Sequence, residues 1–491
     1  MRASGILMPV FSLPSPHGIG TFGKEAYRFV DFLQKAGQRY WQILPLNPTN
    51  YGDSPYQSFS SFAGNPYFID LDLLVEEGLL TPEEIAACDF GDHPTAVDYE
   101  KLYTARLPLL KKAFGRFQPD ADYEAFCQQN AWWLDDYALF MAIKSERGGC
   151  WTEWDDDIRL RDVAALKAAR QTYAEEMNFH RFVQARFASQ WAALKAYANA
   201  HGVQILGDIP IYVAADSADV WADPVQFLLN KRGEPALVAG VPPDAFCEDG
   251  QLWGNPLYNW KYMKQDGYGW WKRRLQYALS LYDVVRIDHF RGFEAYFAVP
   301  ADAETAKDGK WHKGPGMSLF KALGKDLPIV AEDLGFLTPA VHKLLAATGF
   351  PGMKVLQFAF DSREESDYLP HNYPRNCVVY TGTHDNDTIL GWEQTAPPED
   401  VAFAKKYLRA SADEGLNWTM MRAALASVSD TAILTMQDLI GLGSEGRINT
   451  PATLGGNWQW RLDGACLNDW LAGILYDNTK LYSRLPTEET N

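Results

Sequence analysis

Arg286 and Asp288 stand two residues apart in the stretch YDVVRIDHFRGFEAY (282–296), among Val284, Val285 and Ile287. Side chains alternate across a strand, so the arginine and the aspartate share one face while Val285 and Ile287 share the other. Two readings are open: a buried structural ion pair, or a carboxylate kept ionised by a neighbouring guanidinium and ready to react. Acids also close other apolar runs: Asp208 in GDIPIYV, Glu332 and Asp333 in AEDLG, Asp385 beside His384 in TGTHDND, and Asp438 in TMQDL. Like charges gathered around one opening destabilise a fold unless they do chemistry or hold a cation. Carboxylates suit magnesium or calcium, yet the chain has no D-x-D-x-D-G loop, no H-E-x-x-H and no phosphate-binding glycine loop. Glycoside chemistry asks for an ionised nucleophile, a protonated carboxyl and groups that grip sugar hydroxyls. Glu332, on an apolar strand near an ionised Asp288, has its pKa raised by like-charge repulsion in that arrangement.

Eight apolar runs are expected to be the strands that position these acids. They are residues 5–13, 40–46, 203–213, 284–290, 328–335, 353–360, 377–387 and 432–442. Helical spacing marks 24–37 and 182–202, ending at Gly37 and Gly202, and 338–349, where Thr338 is the expected N-cap before Pro339. Strands alternating with helices predict a (β/α)8 TIM barrel, whose chemistry sits at the C-terminal strand ends. The division expected is 1–54 for strands one and two, 55–180 for an inserted, mainly helical subdomain, and 181–491 for strands three to eight. Segment 242–260 is read as an active-site loop and the polar 299–316 as a mobile lid. No C-terminal β-sandwich pattern is present. Tyr40 and Trp41 open a buried strand and read as core, Asp438 as a supporting group, and Asp216 and Asp219 as caps of the helix that follows.

The 491 residues are long enough for one large domain with insertions or for several ordinary ones, and 47% hydrophobic residues allow a substantial core. A net charge of −18 argues against nucleic-acid and anionic-membrane partners. Six scattered cysteines without a C-x-x-C pair suggest neither zinc nor redox chemistry and fit a reducing compartment. The N-terminal apolar run is interrupted at Pro9, too soon for a signal or membrane segment, so a soluble cytoplasmic protein is expected. Aromatic residues reach 14%, including 17 Trp. Rings in Gly/Pro-rich loops suit sugar faces as well as cores.

RIDHFRG, AEDLG and TGTHDND, with DSPYQSFSSFAGNPYFIDL (53–71), PPDAFCEDGQLWGNPLYNW (242–260) and GLGSEGRINTPATLGGNWQWR (441–461), closely resemble the amylomaltases. These are 4-α-glucanotransferases, or disproportionating enzymes, of the α-amylase superfamily, and the resemblance runs over nearly the whole chain. In the wider superfamily a small residue usually follows the fourth-strand aspartate, where this chain has His289. The resemblance implies a retaining transfer of an α-1,4-glucan segment from a malto-oligosaccharide to the 4-hydroxyl of glucose or another glucan. It implies Asp288 as nucleophile, Glu332 as acid/base, and Asp385 with His384 as holders of the donor sugar. Arg286 would orient Asp288, Asp208 would bind the far edge of the same sugar, and Tyr56 would stack on it near Ser54. Trp253 would be an acceptor platform, with Asp244, Glu248, Gln251 and Asn255 contacting hydroxyls; Tyr258 shares that segment, and His289 divides between structure and sugar contact. No cofactor and no metal are implied. Two other functions stay open: an α-amylase-type hydrolase with the same acids, and an inert glucan-binding scaffold.

Overall fold

A computed structural model describes residues 2–243, 248–335, 337–411 and 413–486. Twelve strands form two sheets. They are β1 Ala3–Leu7, β2 Tyr40–Gln42, β3 Gln204–Ile209, β4 Leu237–Val241, β5 Gln251–Pro256 and β6 Val284–Ile287. The rest are β7 Ala295–Pro300, β8 Lys310–Lys313, β9 Ile329–Ala331, β10 Gly352–Val355, β11 Cys377–Tyr380 and β12 Thr431–Thr435. The eight-stranded sheet runs β10-β11-β12-β1-β2-β3-β6-β9, with parallel pairing between all neighbours in that order. Its two ends approach where the Ala331 N–H donates to the Pro351 carbonyl at 2.9 Å. Each expected apolar run overlaps one barrel strand, with β1, β10 and β12 beginning one or two residues before their runs, and the (β/α)8 architecture follows.

The strands are shorter than the runs they overlap. Residues Val10–Ser12, Phe290–Phe293 and Leu356–Ala359 are single 3-10 turns, and Met436–Leu439 is helical, all following a barrel strand. Most of these residues are buried, so their apolarity reports burial rather than extension. Close approach also shapes the sheet: a Cβ on Gly207 of β3 would lie 2.2 Å from the Tyr282 ring.

Between β2 and β3 the described chain is mainly helical. The longer helices are Tyr99–Arg116, Ala121–Arg147, Val163–Thr172 and Ala174–Ala200. Asp98 and Asp120 start the first two by accepting the N–H groups of Lys101 and Tyr123. Ala174–Ala200 crosses the expected boundary at 180 without a break and runs into β3, and one core cluster joins the barrel strands to these helices.

The second sheet, β5-β4-β7-β8, is antiparallel throughout. It corrects the reading of 242–260 and 299–316 as loops. β5 occupies part of the first segment and β8 part of the second, with the 3-10 turn Ala306–Asp308 between β7 and β8. The KWHK sequence of β8 is exposed throughout and carries no apolar alternation, so periodicity does not reveal it. Ser217, not Asp216 or Asp219, caps the helix Ala218–Ala222, accepting from the Val220 N–H. Thr338 is the N-cap residue of Pro339–Thr348 by backbone geometry, without a side-chain capping bond.

Candidate active site

The site begins with strand register. Asp208 of β3 pairs directly opposite Arg286 of β6, and side chains opposite each other on adjacent strands share a face. Arg286 Nη1 donates to both Asp208 oxygens at 2.8 and 2.7 Å, and Nη2 donates to Asp288 Oδ1 at 2.9 Å. The Tyr56 hydroxyl adds a donor to Asp208 Oδ2 at 2.7 Å, and Arg286 Nε lies 3.3 Å from Met353 Sδ. One rigid guanidinium fork thus holds a fully buried carboxylate with one nitrogen and a solvent-reached carboxylate with the other. Burial works against the Arg286 charge, but Asp208 and Asp288 outweigh it and its pKa stands well above the ordinary guanidinium value. The fully buried ion pair of Arg286 is the one with Asp208, while Asp288, its other partner, is reached by solvent.

Backbone pairing runs one residue past the strands. The Asp288 N–H donates to Ile209 O and the Glu332 N–H to Ile287 O, each at 3.0 Å, which sets the two acids on neighbouring strand ends. His289 then turns the chain with φ 54°, a left-handed conformation uncommon outside glycine, though histidine is among the residues enriched there. Its N–H donates to Glu332 Oε2 at 2.7 Å, while the Leu334 N–H donates to Oε1 at 2.7 Å. Burial first and the Asp288 charge second push the Glu332 carboxyl up to about 7, against the opposing pull of Arg286 and those two N–H groups. Burial likewise lowers His289 to about 4, so its imidazole is neutral near pH 7. Asp333 faces elsewhere: it is buried and accepts the Met353 N–H at 2.6 Å.

Asp385 follows β11, half-exposed. Its Oδ1 accepts from Asn449 Nδ2 at 2.6 Å, its carbonyl accepts from Arg447 at 2.9 Å, and His384 Nε2 lies 3.3 Å from Oδ2. The buried His384 ring stacks on Tyr56 with centroids 5.1 Å apart and planes 16° apart. Trp458 lies 5.9 Å from Tyr56 and 6.0 Å from His384. Trp458, Asn449 and Arg447 all lie in the segment 441–461, where sequence reasoning named no residue. The segment's resemblance to the family and its tryptophan among glycines were signals that could have found them. Asp438 is buried and accepts from Thr381 and the Ile389 N–H, a supporting position as expected.

The added sheet supplies another wall. Trp253 of β5 is half-buried, its ring 4.8 Å from His289 and nearly perpendicular to it, which brings it beside the residue after Asp288. Its indole N–H donates to Gln251 Oε1 at 3.0 Å. Asn255 is 6% exposed and donates to Val213 O at 2.8 Å, holding the backbone beyond β3. Tyr258 is core, 1% exposed, with its hydroxyl on Ile211 O. Ser54 Oγ accepts the Tyr56 N–H at 3.3 Å, shaping the turn that presents the ring. Glu248 is exposed, and Asp244 lies outside the described residues. Trp41 is fully buried and Tyr40 half-buried, close to the expected core assignment.

Similarity to known proteins agrees with this geometry. The sequence profile of a family described as 4-alpha-glucanotransferase matches residues 8–467. The 4-alpha-glucanotransferase of Clostridium butyricum is 49% identical over 485 residues, covering 97% of this chain and 100% of the relative. That of Thermus thermophilus is 51% identical over 478 residues, covering 94% and 95%. A solved amylomaltase from Streptococcus agalactiae in complex with acarbose matches with a TM-score of 0.96 at 46% identity, over 99% of this chain and 100% of that one. The amylomaltase from Corynebacterium glutamicum shares the fold, with a TM-score of 0.76 at 19% identity over 99% and 75%. The family profile spans every strand-end acid, identity near one half runs along almost the whole length, and the chain belongs to the 4-alpha-glucanotransferase (amylomaltase) family.

Proposed function

We propose that the 4-α-glucanotransferase reaction proceeds here by double displacement with retention. The carrying observation is the pairing of Asp288, tied to Arg286 at 2.9 Å, with a Glu332 pushed up to about 7 on the adjacent strand end. Asp288 attacks the anomeric carbon of a malto-oligosaccharide while Glu332 gives its proton to the departing glycosidic oxygen, leaving a glucosyl ester on Asp288. Glu332, now ionised, takes the proton of an incoming 4-hydroxyl, which displaces Asp288 and restores the α-linkage. Arg286 fixes the attacking carboxylate, and Asp385, His384 and Asp208 hold hydroxyls of the donor ring. Tyr56, set by Ser54, supplies its stacking face, and Trp253 and Gln251 receive the acceptor. Asn255 positions the wall, while Asp244, Glu248 and His289 complete the sugar contacts.

The helical stretch 55–180 serves as a subdomain whose first residues carry Tyr56 to the barrel. The setting is cytoplasmic in this reading: the described cysteines are free, and no helix among the described residues is long and apolar enough to cross a membrane. Incubation with pure maltotriose tests the reaction. Transfer gives glucose plus a ladder of shorter and longer oligomers at constant reducing ends. A steady rise in reducing ends would identify a hydrolase, and no change would identify a binding scaffold.

A further inference from the structure

The 3-10 turn Ala306–Asp308, between β7 and β8, reaches over to the residues that lead into β5. The Ala306 N–H donates to the Asp249 carbonyl at 2.9 Å, and Lys307 Nζ pairs with Asp249 Oδ1. Ala306 is fully buried, packed with Val238, Phe297 and Val299 of the second sheet. Gly250 completes the corner with φ 68°. A Cβ there would lie 2.5 Å from the Val241 carbonyl oxygen and 2.9 Å from the Ala306 Cβ, so the two segments meet at a distance only glycine allows.

Asp249 stands two residues before Gln251, the first residue of β5, whose Oε1 accepts the Trp253 indole N–H at 3.0 Å. β5 lies at the edge of its sheet, with β4 as its one neighbouring strand among the described residues, and their register shifts between Val238 and Gly240. An edge strand with one partner and an interrupted ladder has little else to fix where it starts. From this strand Trp253 sets its ring beside His289. β7 in turn follows the 3-10 turn Phe290–Phe293, which begins next to His289. One hairpin therefore continues the turn after Asp288 at its base and holds the entry to β5 at its tip. The Lys307–Asp249 pair is exposed at both ends, so its contribution is modest and it can be changed without disturbing a core.

We propose that Lys307 and Asp249 are a positioning pair for the acceptor wall. Their ion pair, with the Ala306 hydrogen bond beside it, sets where β5 starts and so where Trp253 meets an incoming sugar. The inference rests on the reading of Trp253 as the acceptor platform. The intermediate on Asp288 is open to water and to a sugar hydroxyl alike, and the sugar wins only while the platform holds it within reach. Displacing the platform costs the sugar that advantage and leaves water unaffected. Donor cleavage belongs to the strand-end acids and does not pass through this pair.

Full-length wild type, Asp249→Lys, Lys307→Asp, the double variant Asp249→Lys/Lys307→Asp and Trp253→Ala are compared on maltotriose. Hydrolysis is read from the rise in reducing ends and transfer from the longer oligomers. Each single variant sets like charges face to face. Its ratio of hydrolysis to transfer should rise about threefold, the size expected of an exposed pair, with thermal midpoint and donor cleavage at the wild-type level. The double variant restores an opposite pair and should bring the ratio back toward wild type. A ratio unchanged in either single variant while Trp253→Ala raises it would overturn the pair, and so would a double variant as impaired as the singles. Equal loss of cleavage and transfer would also overturn it, because the pair would then serve folding alone. A ratio unchanged in Trp253→Ala would defeat the platform reading itself.

Discussion

The two walls of the cleft are built differently. The strand-end wall, Asp208–Arg286–Asp288 with Glu332, rests on parallel register and buried charge: Asp208 is held by Arg286 from the neighbouring strand, Asp288 by the same arginine two residues earlier on its own strand, and Glu332 by the turn at His289. The aromatic wall, Trp253 on β5, belongs to a small antiparallel sheet added above the barrel, and its contacts are rings and one side-chain bond to Gln251. A buried ion network fixes atoms to within the tolerance that bond making needs, because moving one partner strands another charge. A half-exposed ring can shift without such a penalty. If the aromatic wall receives the acceptor as proposed, chemistry and acceptor choice are separable here, and mutations in each wall should have separate signatures.

The largest effect is expected at Asp288. Asp288→Asn removes the only nucleophile of the proposed reaction, and maltotriose turnover should fall by about 10⁴-fold or more with an unchanged thermal midpoint. A variant keeping a tenth of wild-type turnover would reduce Asp288 to an ion-pair partner and erase the distinction between the walls.

Glu332→Gln comes next, with a loss of about 10²–10⁴-fold on maltotriose. An activated donor such as α-glucosyl fluoride, whose leaving group needs no proton, should recover much of the first step. Glu332 works as an acid only when protonated, and its pKa is raised to about 7. Wild-type activity should therefore fall as pH rises through that value, and the variant should lose this basic limb with the activated donor. An unchanged basic limb would move the acid role to Asp385.

Arg286→Lys keeps the positive charge but not the fork that reaches Asp208 and Asp288 together. A misplaced nucleophile should lower kcat by about 10²-fold, with a smaller change in KM. A KM effect alone would show that Arg286 serves sugar binding rather than the position of Asp288.

The smallest effect is expected on the aromatic wall. Water is present at about 55 M, so transfer wins only if a bound acceptor reacts at high effective molarity. Stacking on an indole contributes about 1 kcal/mol, by analogy with aromatic pairs. Trp253→Ala should raise the ratio of hydrolysis to transfer on maltotriose several-fold, while donor cleavage falls less. Equal loss of both activities would place Trp253 on the donor side and join the two walls into one.

Much of the strand-end wall was legible in the primary structure. Alternation put Arg286 and Asp288 on one face, and apolar runs located all eight barrel strands, because each buries at least one face and ends where polar residues begin. The aromatic wall was legible only as a tryptophan in a Gly/Pro-rich segment. β5 and β8 pair with the strands just before them, β4 and β7, but neither carries the alternation that announces a strand, and the sheet forms only because β4 pairs with the distant β7. Tyr258 and Asn255 show the same limit. Both sit in the segment that carries Trp253, yet one is core and the other braces Val213. Residue type and neighbourhood do not say which way a side chain turns when the backbone it bonds to, here Val213 and Ile211, is remote in sequence.

By itself the sequence determined the barrel, the order of acids around its opening and the family to which they belong, because short-range periodicity and strand-end position are local properties of the chain. Tertiary structure alone decided what surrounds each acid. Arg286 spans Asp208 and Asp288 only because parallel register sets β3 beside β6. Glu332 departs from Asp333 because one turns toward the Asp288 charge and the other toward the Met353 backbone. Burial and charge at a carboxyl depend on what is folded against it, and residues distant in sequence supply both.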